Sequence, residues 1–293
     1  MTERQTVFIR RFASTVALWS VALWIILSGF ELGFLFLISG LGLAALWEYY
    51  TMLDHKKLPN FKMIGMACGA FLSAGSFHYF RTRGPVQSYD FEVATLLFFM
   101  LIVFARQMFQ KTRDVSPLET MAYTVFGLFY IPWLFSFMTK IVYVMPRDAD
   151  LHVTGHFYVL WLILVTKFSD MGAYITGSLI GKHPMVPHIS PKKTWEGFFG
   201  ALAFSVIGGC GLLALIPEKL SALRQTDAVI LGLLLGLAAI IGDLAESIVK
   251  RSADVKDSGS FLPGIGGALD LIDSLLFTAP LLFFYLRFVV GVV

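Results

Sequence analysis

Residues 228–251 read Ala228-Val-Ile-Leu-Gly-Leu-Leu-Leu-Gly-Leu-Ala-Ala-Ile-Ile-Gly242, then Asp243-Leu-Ala-Glu246-Ser247-Ile-Val-Lys250-Arg251. The first 15 residues are apolar without interruption. At about 1.5 Å per residue such a helix covers about 22 Å of a hydrocarbon core about 30 Å thick. The charges that follow therefore begin inside a bilayer, where charge is costly and is usually kept for function. Similar runs recur along the chain, which is 57% hydrophobic and 15% charged, with a mean hydropathy of +0.73. A soluble domain of 293 residues would need more polar surface than this. The reading is an all-α, polytopic integral membrane helical bundle.

Nine spans are expected, near 13–30, 32–50, 61–80, 90–106, 118–138, 157–181, 195–216, 228–251 and 267–290. The first two are joined tightly at Gly29-Phe30-Glu31, and Pro132 kinks the fifth because it removes one backbone donor. No repeat is visible. Residues 1–150 hold spans one to five and residues 151–293 hold spans six to nine with the chemistry, as one continuous membrane domain. Cys68 and Cys210 both fall in apolar runs, which argues against a disulfide or a Cys-based metal site. The first run follows Arg10-Arg11, lacks a small-residue cleavage pattern and leads into a second span, so no cleavable signal is expected.

A net charge of +3 is too small to argue for nucleic acid. Of the 23 Lys and Arg, 15 flank one set of alternate span ends and 6 the other, with Lys167 and Arg287 inside spans. The positive-inside rule puts the N-terminus in the cytoplasm and the C-terminus outside. Loops 182–194 and 252–266 then share the cytoplasmic face, open to a soluble substrate. Depth points the same way: about 20 Å of mostly apolar helix, residues 157–169, precedes Asp170. Asp170 and Asp243 reach similar levels, and Asp270 and Asp273 open the returning span. One acidic cluster is expected.

On a helix, Asp243, Glu246, Ser247, Lys250 and Asp254 follow three- and four-residue steps and share one face. Carboxylates at helix ends suit Mg²⁺ where phosphate arrives from the cytoplasm. The bland alternative is interfacial charge with Lys250 and Arg251 snorkelling. It fits Asp243 poorly, since a carboxylate at that depth has no easy route to water. The loop Lys256-Asp257-Ser258-Gly259 to Pro263-Gly264-Ile265-Gly266-Gly267 enters a helix N-terminus and could cradle phosphate, although glycines also serve as plain turns. The other loop reads Gly181-Lys182-His183, then Ile189-Ser190-Pro191-Lys192-Lys193-Thr194-Trp195-Glu196-Gly197. Ser190 or Thr194 could cap the seventh span, with Glu196 in its first turn. Lys192 and Lys193 either grip phosphates or mark topology, and Lys167 has Asp170 within reach as a structural partner.

Taken together, the stretches Ser247-Ile-Val-Lys250-Arg251, Lys256-Asp257-Ser258-Gly259, Leu262-Pro263-Gly264, Gly266-Gly267, Asp270 and Asp273 resemble the phosphatidate cytidylyltransferase (CDP-diacylglycerol synthase) family. Ser169-Asp170 with Gly172-Ala173-Tyr174, and Ile189 to Thr194 with Glu196-Gly197, are similar to it as well. The likeness covers residues 157–280, and spans one to five match only in being hydrophobic. Two positions depart from the family's usual pattern: Ile265 stands for His and Leu271 for Arg. One phosphate ligand and one donor or proton carrier are thereby missing, while Asp243, Asp270 and Asp273 are intact.

The resemblance implies an enzyme of phospholipid biosynthesis in the cytoplasmic (inner) membrane. Phosphatidic acid and CTP would give CDP-diacylglycerol and pyrophosphate. It implies Mg²⁺ held by Asp243, Asp270 and Asp273, with a second, monovalent cation left open. Lys250, Arg251, Lys256 and Asp257 would take part in catalysis. Substrate binding would fall to Asp170, Ser190, Lys192, Lys193, Thr194, Ser247, Gly264, Gly266 and Gly267. The expected partners are the two substrates and the bilayer, with no nucleic acid; a homodimer is compatible with the reading. Three alternatives remain open: a CTP-dependent polyprenol or lipid kinase, a transporter with intramembrane carboxylates, and an inactive homologue.

Overall fold

The computed structural model describes residues 16, 19–84, 88–110, 116–146, 154–259 and 266–292. These are almost entirely helical: α1 (Trp19–Ser28), α2 (Glu31–His55), α3 (Lys62–Arg83), α4 (Tyr89–Met108), α5 (Pro117–Leu128) and α6 (Phe137–Val144) come first. Then follow α7 (His156–Ile180), strands β1 (Pro184–Val186) and β2 (Ser190–Thr194), α8 (Trp195–Leu215), α9 (Gln225–Ser252) and α10 (Ala268–Tyr285). Among the described residues seven helices are long and apolar enough to cross a membrane: α2, α4, Pro117–Val144, α7, α8, α9 and Ala268–Val290. Two of the nine expected spans fall short of that standard. The described part of α1 is short, and α3, with Gly, Ser and His78 along it, is less apolar than the seven.

The chain is therefore a multi-pass helical membrane protein. Large apolar side chains on its outer faces fit that reading: Phe36, Leu179 and Phe199 are 73%, 76% and 65% exposed. Such surfaces would be a liability in water and are ordinary against lipid tails.

Local signals account for the breaks. Gly29 turns α1 into α2 at φ +64°, a left-handed conformation that glycine adopts without penalty. Ser116 caps α5 by accepting from the Glu119 amide, with Pro117 in the first turn. Pro132 sits in a π-helical turn, Phe129–Trp133, which separates α5 from α6.

The chain packs as two compact units. One is Met1–Thr139 with Ser252–Ile272, and the other is Lys140–Arg251 with Asp273–Val293. In the first, Tyr49 and Tyr50 of α2 donate to the Tyr123 and Thr124 carbonyls of α5 at 3.0 and 2.7 Å. Hydrogen bonds of this kind between membrane helices contribute about 0.6–2 kcal/mol each.

The second unit is built on small residues that let helix backbones meet. A Cβ on Gly172 of α7 would stand 2.5 Å from the Gly200 carbonyl oxygen of α8, and one on Gly208 would stand 2.7 Å from Phe168. Trp161 Nε1 then reaches the Gly209 carbonyl at 3.1 Å. Ser205 of α8 donates to the Gly232 carbonyl of α9 at 2.7 Å. Thr166 of α7 meets Thr278 of α10 at 3.3 Å, and Tyr285 of α10 donates to Asp227 of α9 at 2.8 Å. Cys68 and Cys210 are free thiols.

Candidate active site

Segment 182–194 is a β-hairpin rather than the plain loop that its composition suggests. β1 and β2 pair antiparallel, Pro184 with Thr194 and Val186 with Ser190, with an irregularity between. Glu196 anchors it: one carboxylate oxygen accepts the Lys182 and His183 amides at 3.2 and 3.3 Å, and the other lies 2.6 Å from His183 Nδ1. The Trp195 amide donates to the His183 carbonyl at 2.9 Å. Of the two caps expected for α8, Thr194 is the one used, accepting from the Gly197 amide at 3.2 Å.

A strand sends successive side chains to opposite faces, so the hairpin separates the paired lysines. Lys192 is exposed, whereas Lys193 turns inward and places Nζ 2.7 Å from Asp243 Oδ2. Asp243, Glu246 and Asp273 each offer a carboxylate oxygen, and the three lie within 4.8 Å of one another. Glu246 and Asp273 are buried, at 2% and 7% exposure. Lys250 Nζ lies 2.6 Å from Glu246 Oε2, one turn along α9. On α7, Lys167 pairs with Asp170 at 3.0 Å, the structural partnership that the sequence allows.

The trio comes together because Gly242 lets α9 approach the Asp273–Ser274 backbone of α10. Carboxylates this close repel one another, most strongly where they are buried as Glu246 and Asp273 are, and nearby positive charge offsets that repulsion. Lys193 and Lys250 supply such charge. The donor set is all oxygen, hard and compact, and it fits a hard divalent cation.

Other expected site residues are placed as follows. Ser247 is half-buried on α9 and Arg251 is exposed near its end. Asp254 does not continue the Asp243 face: α9 ends at Ser252, Asp254 takes φ +56°, and its carboxylate pairs with Lys56 at 2.8 Å. Lys256 and Asp257 are exposed in the segment after α9. Asp270 has one carboxylate oxygen engaged by the Gly267 amide at 3.0 Å. Gly266 takes φ +124°, a conformation that needs glycine. The expected phosphate cradle at the start of α10 has two amides already in use, since Leu269 N donates to Glu48 at 3.0 Å as Gly267 N does to Asp270. Gly264 and Ile265 lie outside the described residues. Glu246 is absent from the expected metal ligands although it shares the Asp243 face; its three-residue spacing from Asp243 is the signal that points to it. Glu48 lies in a span that reads only as hydrophobic and carries no such signal.

The family model for the cytidylyltransferase family matches residues 9–289. The chain is 37% identical over 165 residues to the uncharacterized protein YnbB of Escherichia coli, a match covering 56% of this chain and 51% of that one. It is 40% identical over 161 residues to a phosphatidate cytidylyltransferase of Mycobacterium bovis, covering 54% and 48%. A phosphatidate cytidylyltransferase of Bacillus subtilis is 31% identical over 271 residues, covering 91% of this chain and 93% of that one. The chain thus spans about half the length of the first two relatives and nearly all of the third.

Proposed function

The chain belongs to the cytidylyltransferase family, and from that premise we propose that it is a phosphatidate cytidylyltransferase of the inner membrane. It joins the CMP moiety of CTP to phosphatidic acid, giving CDP-diacylglycerol and pyrophosphate. The observation that carries this reading is the acidic trio Asp243, Glu246 and Asp273, set between Lys193 and Lys250. Phosphate-rich substrates need cations to bind and carboxylates to hold a metal, and both occur here within one unit.

A phosphate oxygen of the lipid attacks the α-phosphorus of CTP, and the bond from that phosphorus to the β-phosphate oxygen breaks. No protein nucleophile is required, because the lipid phosphate is already anionic at neutral pH. Mg²⁺, held by Asp243, Glu246 and Asp273, would offset charge on the phosphoryl oxygens when bound. Lys193 and Lys250 hold the carboxylates in place and present ammonium charge to the incoming phosphates. Arg251, at the exposed end of α9, offers a planar pair of donors to a phosphate. The β-hairpin, anchored by Glu196, sets where Lys193 stands.

The charge asymmetry of the span ends supports an orientation with the hairpin and the segment after α9 facing the cytoplasm, where CTP is found. The test is an assay of purified protein in detergent with phosphatidate, Mg²⁺ and CTP labelled in the cytidine. Label entering the lipid is the expected result. Cytidine label absent from the lipid, with label entering from γ-phosphate-labelled CTP in a parallel assay, would replace this reading with a lipid kinase.

A further inference from the structure

The carboxylate of Glu48 is buried on α2, only 5% exposed, in a part of the chain whose sequence promises no chemistry. Its Oε2 accepts from Leu269 N at 3.0 Å and from Ser258 Oγ at 3.3 Å. Leu269 is the second residue of α10, where the positive end of the helix dipole favours a carboxylate. The glycines on either side fit around it. A Cβ on Gly267 would stand 2.7 Å from the same Oε2, and one on Gly259 would stand 2.7 Å from the Glu48 Cδ.

The main chain therefore passes this carboxylate twice, at Ser258-Gly259 and again at Gly267-Leu269, all within one compact unit. A carboxylate taken from water persists only where hydrogen bonds and charge replace what water supplied. A residue needed merely to fill the space would be apolar.

We propose that Glu48 is a positioning residue that clamps the two ends of the Gly-rich segment to α2. It holds Ser258 and the first turn of α10 at one separation, and so sets where Lys256 and Asp270 stand. Glu48 acts through these groups and does not touch substrate. The kinetic consequence rests on the cytidylyltransferase reading, whereas the clamp itself rests on the geometry.

The test combines amide hydrogen exchange with steady-state kinetics on the full chain in detergent, for wild type, Glu48→Ala, Glu48→Gln and Glu48→Asp. In Glu48→Ala, exchange across residues 267–272 rises by about tenfold or more, while α3 and α5 keep their protection. Glu48→Gln keeps a carbonyl acceptor at the same reach and retains most of the protection. Glu48→Asp is one methylene short and behaves as Glu48→Ala does. In the Ala and Asp variants kcat falls by about tenfold or more with KM for CTP within about twofold, and Gln rescues it.

Wild-type exchange at residues 267–272 in Glu48→Ala overturns the clamp. A rise spread evenly over α2, α3 and α5 makes Glu48 a general stability residue and overturns the positioning role. Unchanged catalytic constants beside a loosened segment overturn it too. A wild type that does not turn over phosphatidate and CTP overturns the functional reading, and the exchange measurement then still decides the clamp.

Discussion

Gly242 of α9 lies against the main chain of Asp273 in α10, so close that a Cβ there would stand 2.8 Å from the Asp273 carbonyl oxygen and 2.9 Å from the Ser274 Cα. Backbone cannot swing aside as a side-chain tip can. This contact limits how closely the main chains that carry Asp243 and Asp273 approach.

Gly242→Ala should therefore force α9 from α10 and cost about 1–3 kcal/mol, as overpacking does. Thermal unfolding in detergent reads the stability, and kcat reads the separation of the carboxylates. A fully stable, fully active Gly242→Ala protein would show that the contact is dispensable.

Asp243→Asn and Glu246→Gln should abolish turnover while leaving insertion and helix content intact. Titration with Mn²⁺, followed by electron paramagnetic resonance, should show its high-affinity binding lost in both. Asp270→Asn belongs in the same series. Its carboxylate is engaged by the Gly267 amide, so retained Mn²⁺ binding with lowered kcat is the expected outcome.

The two hairpin lysines should differ. Lys193→Met removes the ammonium from Asp243 and should lower kcat/KM by about tenfold or more. Lys192→Met, on the opposite and exposed face of β2, should lose much less. Equal losses would mean that the hairpin turns over on binding substrate.

Arg251→Lys should lose more than about tenfold in kcat/KM, because a point charge cannot replace two aligned donors. Full activity in Arg251→Ala would return this cation to the role of a topology marker.

The hairpin 182–194 and the exposed residues Lys256 and Asp257 should label from the cytoplasmic side of sealed vesicles. Single cysteines introduced at Lys192 and Asp257, with Cys68 and Cys210 replaced, provide the measurement. Labelling from opposite faces would break the single-site reading.

The helical membrane class was legible because long apolar runs such as 228–242 reveal it locally. A cap for α8 at Ser190 or Thr194, an irregularity at Pro132 and the turn at Gly29 were legible for the same reason, since each depends on a residue and its immediate neighbours, and the structure chose Thr194 for the cap. The extension of the α9 face to Asp254 failed at a helix end, where a residue at φ +56° stops the periodicity that the spacing assumed.

What the sequence by itself determined is the helical membrane class, most of the apolar spans and the stretches that carry the family likeness. Each follows from backbone propensity, hydrophobic length or a contiguous motif. Only the tertiary structure decided that Glu246 stands with Asp243 and Asp273, that Lys193 rather than Lys192 reaches Asp243, and that Glu48 bonds a backbone amide 221 residues away. The reason is physical. Which side chains meet depends on how helices rotate and how closely they approach, and that is set by glycines such as Gly242 packing against a distant backbone.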